Sequence, residues 1–305
     1  MKSLPTQAAA KRGGPLGIIR SEHALPVFML VPAVLVLAAL TLFPIGYVLY
    51  LSLTDLGVNS PDGALVGLDN YRLIQSDPAF WESLRVTGAF TLAAVGVEFL
   101  LGFAIAILLN RRLRGLGLVR TLLLLPMVMT PVIVGITWRM LYSPTYGLVD
   151  YFLGRLGFGQ PDWLGDSRLA LWSVVTVDVW QWTPFMFLLL TAGLHSLPSE
   201  PYEAARVDGA GRLATFRLLT LPLLRNVIIV ALIFRAIDAF DTFDIIWVLT
   251  NGGPGASTQT LTIYSYFQTF RWLNYGYGAA LSIIMLLLVA VFCLVMVALM
   301  RREPA

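Results

Sequence analysis

Six long apolar runs dominate this chain, and they leave it few folds to choose from. They lie at roughly Val27–Leu53, Val86–Leu109, Val119–Leu141, Leu169–Leu194, Val227–Thr250 and Gly276–Met300. Each is near the length of about 20 residues that crosses a bilayer as a helix. In hydrocarbon a segment must satisfy its own backbone N–H and C=O groups, which a helix does and an isolated strand does not. The reading is an all-α, polytopic membrane protein with six transmembrane helices. Composition agrees: 13% of the 305 residues are charged and 57% are hydrophobic, whereas a soluble domain carries about 25% charged residues. The first run is too long for a signal-peptide core and lacks a small-residue cleavage site after it, so it reads as an uncleaved anchor.

Several chemistries fall away. The single cysteine, Cys293, sits in an apolar run and supports neither a disulfide framework nor a thiolate metal site. Two histidines, His23 and His195, are too few and too far apart for zinc. His195, Ser196 and Ser199 lack a buried acid to orient the imidazole as a triad requires. No Gly-x-x-x-x-Gly-Lys-Ser/Thr run occurs, so no P-loop cradles ATP phosphates here. No catalytic residue, metal or chain-bound cofactor is expected, and the chain is read as a non-enzyme.

Arginine and lysine orient the spans. One side holds Lys2, Lys11, Arg12, Arg20, Arg111, Arg112, Arg114, Arg120, Arg206, Arg212, Arg217, Arg225, Arg301 and Arg302; the other holds Arg72, Arg155, Arg168 and Arg271. The count, 14 against 4, places both termini in the cytoplasm. The net charge of +3 thus reflects loop asymmetry rather than a nucleic-acid surface. The opposite loops are acidic and carry Trp81, Trp163 and Trp272, which suit the membrane interface. Residues 1–26 read as a basic cytoplasmic tail, 27–302 as the transmembrane domain, and about 195–225 as one cytoplasmic loop.

That loop is unusually ordered. Ser199 is placed to cap a helix, Glu200 favours its positive start, and Pro201 is tolerated in the first turn. Ala204 and Ala205 form helix with little bulk, so another surface can approach closely. Gly209 can take positive φ and stop the helix. A second short helix, about Arg212–Leu219, then runs to Pro222. Glu203-Ala-Ala, Asp208 and Gly209, Phe216 and the closing Leu221-Pro222 match the EAA loop of binding-protein-dependent ABC importer permeases. Gly67-Leu-Asp-Asn-Tyr71 and Asp77-Pro-Ala-Phe-Trp81 in the first outer loop, and Leu249-Thr-Asn-Gly-Gly-Pro254, resemble the sugar-importing branch. The resemblance is to the first of two paired permeases, of the maltose or glycerol-phosphate type.

The resemblance implies a type I importer permease fold in a bacterial cytoplasmic membrane. It implies a second homologous permease, two ATPase subunits that hold ATP and Mg, and an external solute-binding protein delivering sugar. It implies that Glu203, Ala204, Ala205, Asp208 and Gly209 sit in a cleft of the ATPase.

Charges within the spans are the second candidate feature. Arg235, Asp238, Asp241 and Asp244 all lie in the fifth run. Each such charge costs about 2.5–3.5 kcal/mol on insertion scales, so it faces a cavity or a partner. Arg235 lies one turn from Asp238 and can pair with it. Pairing with another helix and lining a sugar path are both open for Asp241 and Asp244. In the fourth run Asp178, Gln181, Trp182 and Phe185 share one helix face. Carboxylate, amide and aromatic rings together suit a carbohydrate, though helix packing explains them equally. By the resemblance, the stretch containing Phe240, Asp241, Thr242 and Asp244 lies at the sugar pocket. Glu98 and Arg139 read as lone packing charges, and Gly96 and Gly102 as sites of close helix approach. A proton-coupled secondary carrier relaying through Asp238, Asp241 and Asp244 is the alternative. It leaves the Glu203 loop unexplained.

Overall fold

A computed structural model describes residues 24–110 and 115–301. Most of the basic tail, with Lys2, Lys11, Arg12 and Arg20, lies outside the described residues, as do Arg111, Arg112, Arg114 and Arg302. The chain divides into two compact units, residues 1–50 and 51–305. The described part of the first unit belongs to α1 (Ala24–Ser52), an apolar helix that continues through Pro32 and Pro44. The second unit holds α2 (Asp69–Ser76), α3 (Pro78–Leu109), α4 (Leu116–Val128), α5 (Pro131–Leu141), α6 (Leu148–Arg155) and α7 (Ala170–Ser196). It continues with α8 (Glu200–Val207), α9 (Arg212–Thr215), α10 (Leu221–Phe240), α11 (Asp244–Thr250), α12 (Leu261–Tyr266) and α13 (Tyr275–Met300). Among the described residues there is no β-strand, only isolated bridges at Thr54–Leu65 and Gly57–Ser60.

Among the described residues, five helices are long and apolar enough to cross a membrane: α1, α3, α7, the continuous stretch Arg212–Phe240, and α13. The third expected span is instead broken. Gly117–Val128 and Pro131–Leu141 meet at 96°. Pro131 explains the break, because the residue before a proline is driven out of the helical region. Thr130 accordingly sits at φ −67°, ψ 140° and becomes the cap of α5. The fifth span also differs from expectation. Its helix stops at Phe240, Asp241 caps it, and Asp244 opens the separate α11. Asp241 and Asp244 therefore do not share a helix with Arg235 and Asp238. The second span begins eight residues earlier than read, at Pro78, because the Asp77 carboxylate accepts the Ala79 N–H at 2.9 Å and caps it.

The core sits where α3, α7 and α10 pack. Phe90, Ala94, Phe103 and Ala106 from α3 meet Val174, Val177, Met186, Phe187 and Leu190 from α7, with Leu224, Ala231 and Ala239 from α10. Small residues let membrane helices approach closely, and Gly102 is where this matters. A Cβ there would lie 2.6 Å from the Met186 Cβ and 2.9 Å from the Phe187 backbone N. Gly96, read as a similar site, has open space around it. Gly102→Ala is expected to cost about 1–3 kcal/mol through overpacking, and Gly96→Ala less than about 0.5 kcal/mol. Thermal unfolding of the purified protein in detergent measures both. Equal midpoints for the two variants would remove the close-approach argument.

At the Asp77 end, a polar brace joins α2, α3, α12 and α13. Asn70 donates to the carbonyls of Ser52 at 2.9 Å and Thr54 at 2.7 Å. The Tyr264 and Tyr277 hydroxyls both donate to Asp77. Burial alone would raise the Asp77 carboxyl, but these hydroxyls and the Ala79 and Phe80 amides outweigh it and hold the group below 3.8.

Candidate functional site

Three helices converge on one buried guanidinium. Arg235 in α10 is 1% exposed. Its Nε donates to Glu98 Oε2 at 2.7 Å, and its Nη2 to Glu98 Oε1 at 2.9 Å. Nη2 also donates to Asp178 Oδ2, and Nη1 donates to Asp238 Oδ2 at 2.9 Å. The Trp182 ring centroid lies 5.3 Å from the guanidinium carbon, within cation–π range. A planar fork of five donors is the side chain suited to binding several carboxylates at once. Glu98 and Asp178 are fully buried, whereas the Asp238 side chain is 53% exposed. Glu98 is thus not the lone charge its sequence position suggested. It ties α3 to α10. Opposite charges stranded in separate spans are each other's expected partners, and that was the available signal. Arg139 is likewise engaged, donating to the Val248 carbonyl at 3.1 Å and joining α5 to α11.

Beside this cluster lies a cleft of about 480 Å³. Asp178 and Trp182 of α7, Asp238 of α10, Asp241 and Thr242 of the break, and Asp244 of α11 all line it, with Phe243. The break at Asp241 allows this, since it turns both later aspartates toward the α7 face. The two candidate faces from the fourth and fifth runs therefore form one surface. Three of the expected path residues do not line it. Gln181 is buried and donates to the Met129 carbonyl at 3.0 Å. That carbonyl is freed by the α4–α5 break, so Gln181 satisfies a broken backbone. Phe185 packs edge-on against Trp182 at 6.3 Å. Phe240 lines a neighbouring cleft of about 510 Å³ that also includes Asp241 and Phe243.

The polar loop forms a helix-turn-helix, with two departures from expectation. Ser199 occupies the cap position of α8, but its side chain makes no capping bond. The second helix does not end before Pro222. α9 runs through a π-helical turn, Phe216–Thr220, into α10, so Pro222 lies within the continuous stretch, directly after the π-helical turn. Gly209 adopts φ +75°. Its N–H donates to Arg206 O at 3.2 Å and the Ala210 N–H to Ala205 O at 2.9 Å, closing the end of α8. Glu203, Ala204, Asp208 and Gly209 are exposed and Ala205 is half-buried. Val207 and Leu213 add apolar surface, 88% and 62% exposed.

This loop is fastened to the core. Tyr202 donates to the Thr220 hydroxyl at 3.1 Å. The Phe216 ring packs on Phe103 of α3 at 5.7 Å. The 29-residue helix Arg212–Phe240, roughly 43 Å long at 1.5 Å per residue, runs without a gap from the exposed loop to Asp238 in the cleft.

A family model described as a binding-protein-dependent transport system inner membrane component matches residues 24–303. The trehalose/maltose transport system permease protein MalF of Thermococcus litoralis is 40% identical over 274 residues, 90% of this chain and 92% of that protein. The sulfoquinovosyl glycerol transport system permease protein SmoG of Agrobacterium fabrum is 37% identical over 265 residues, 87% of this chain and 86% of that protein. A solved bacterial ABC transporter, involved in the import of the acidic polysaccharide alginate, matches 92% of this chain and 96% of its own chain. Its TM-score is 0.79 at 21% identity, a likeness of fold.

Proposed function

The chain belongs to the family of binding-protein-dependent transport system inner membrane components, and from that premise we propose that it lines the sugar path of an ATP-driven importer. It is a multi-pass transport subunit rather than an enzyme. The relatives are named for sugars and sugar derivatives, and a cleft combining carboxylates with Trp182 and Phe243 has the chemistry to hold one. A second, homologous permease completes the path. Two ATPase subunits, carrying ATP and Mg, dock on the loop through Glu203, Ala204, Ala205, Asp208 and Gly209. A solute-binding protein delivers cargo on the opposite side, with both termini of this chain in the cytoplasm of a bacterial cell.

One observation carries this reading: the continuous helix from the exposed loop to the cleft. A displacement of the loop moves Arg235 and Asp238 with it, because both ride on the same rod. For nucleotide to drive such a change, ATP must bind the outward-facing state more tightly than the inward-facing one. The proton-coupled carrier alternative is set aside, because the family works with a binding protein.

The test is ATP hydrolysis in liposomes by this chain assembled with its partner permease and ATPase. The loaded binding protein is expected to stimulate hydrolysis, and the sugar that does so names the cargo. Uptake that follows a proton gradient, with no nucleotide requirement, would overturn the proposal.

A further inference from the structure

The cleft has one sign of charge. Asp178, Asp238, Asp241 and Asp244 line it, and among the described residues lining it none is basic. The nearest cation, Arg235, is 1% exposed and already donates to three carboxylates. Glu98, itself fully buried, takes two of those bonds and ties the guanidinium to α3. Asp178 lines the cleft at its base, where it is fully buried and accepts from Arg235.

Ionised carboxylates accept hydrogen bonds and do not donate them. Sugar hydroxyls donate to such a wall, and the C–H faces of a pyranose lie on Trp182 and Phe243. A phosphate or carboxylate on the cargo brings more acceptors and a like charge. Resting on the sugar-path reading above, we propose that this cleft selects an uncharged, hydroxyl-rich sugar and rejects anionic ones. Asp178, Asp238, Asp241 and Asp244 determine that specificity, and Arg235, already shared among Glu98, Asp178 and Asp238, offers an anion no free counter-ion.

The magnitude is large enough to read. One unit charge about 6 Å from another, at an effective dielectric near 20, shifts an equilibrium by roughly 100-fold. Partial exposure of Asp238, Asp241 and Asp244 to water reduces this, so a discrimination of at least about tenfold is expected.

The assembled importer is placed in nanodiscs without its binding protein, so that the permease alone sets selectivity. Ligand-observed NMR then compares matched probes: trehalose with trehalose 6-phosphate, maltose with maltobionate, and glycerol with glycerol 3-phosphate. In every pair that binds, the neutral member is expected to bind at least about tenfold tighter. Asp238→Asn with Asp241→Asn is expected to narrow that gap to about threefold or less. Both positions are exposed, which limits damage to the fold. Equal or tighter binding of the anionic members overturns the inference and leaves the sugar path standing. Binding of neither member of any pair overturns the sugar path and this inference with it.

Discussion

Arg235→Met is expected to destabilise the folded chain by about 3–5 kcal/mol, the usual cost of leaving buried charges without their partner. The loss is at the upper end of what a single core substitution costs, because three carboxylates share this guanidinium. Glu98 and Asp178 cannot turn to water, being fully buried between α3, α7 and α10. Thermal unfolding in detergent, together with recovery of the assembled complex, provides the measurement. Glu98→Gln is milder, since an amide oxygen still accepts one of the two Arg235 bonds. The informative variant is the combination Arg235→Met, Glu98→Leu and Asp178→Leu. Replacing a whole buried ionic group by apolar residues is often neutral or stabilising. Recovery of stability without recovery of transport would show that the cluster is kept for the cleft and not for the fold. Wild-type unfolding of Arg235→Met alone would mean that the guanidinium is not the junction of the three helices.

How much of this was readable in the chain depended on the range of the interaction. Helix length and end signals are local, so α7 and α13 fall within a few residues of their apolar runs. Gly209 was legible as a turn because positive φ is a single-residue property. The Pro131 break was equally local and was present as a signal. Apolarity on both sides masked it, since Val119–Leu141 is long enough to pass as one span. The stop at Phe240 carried no proline and no glycine. Its consequence, the delivery of Asp241 and Asp244 to the α7 face, needed the tertiary structure. Glu98 and Arg235 are 137 positions apart, and no periodicity links them. Gln181 shows the opposite error. A polar residue on an otherwise plausible binding face instead serves a carbonyl freed by a break 52 positions earlier.

Gly209→Pro is expected to abolish binding-protein-stimulated ATP hydrolysis, leaving only the unstimulated rate of the ATPase. Proline fixes φ near −65° and has no N–H, whereas Gly209 stands at φ +75° and donates to Arg206 O. The cost of about 3 kcal/mol falls on an exposed turn, while Phe216 and the Arg212–Phe240 rod stay anchored on the core. The spans therefore still fold, but α8 no longer leaves the rod at its native angle. Glu203→Lys separates charge from shape. It leaves the backbone in place and costs about 0.3–1 kcal/mol at the first turn of a helix. If the Glu203 carboxylate itself engages the ATPase, this variant uncouples as fully as Gly209→Pro while still assembling. If only the shape of α8 matters, Glu203→Lys keeps most of its stimulation. Normal stimulation and uptake in both variants would mean that force reaches the cleft by another route, and the continuous helix would then have to be read as a span and nothing more.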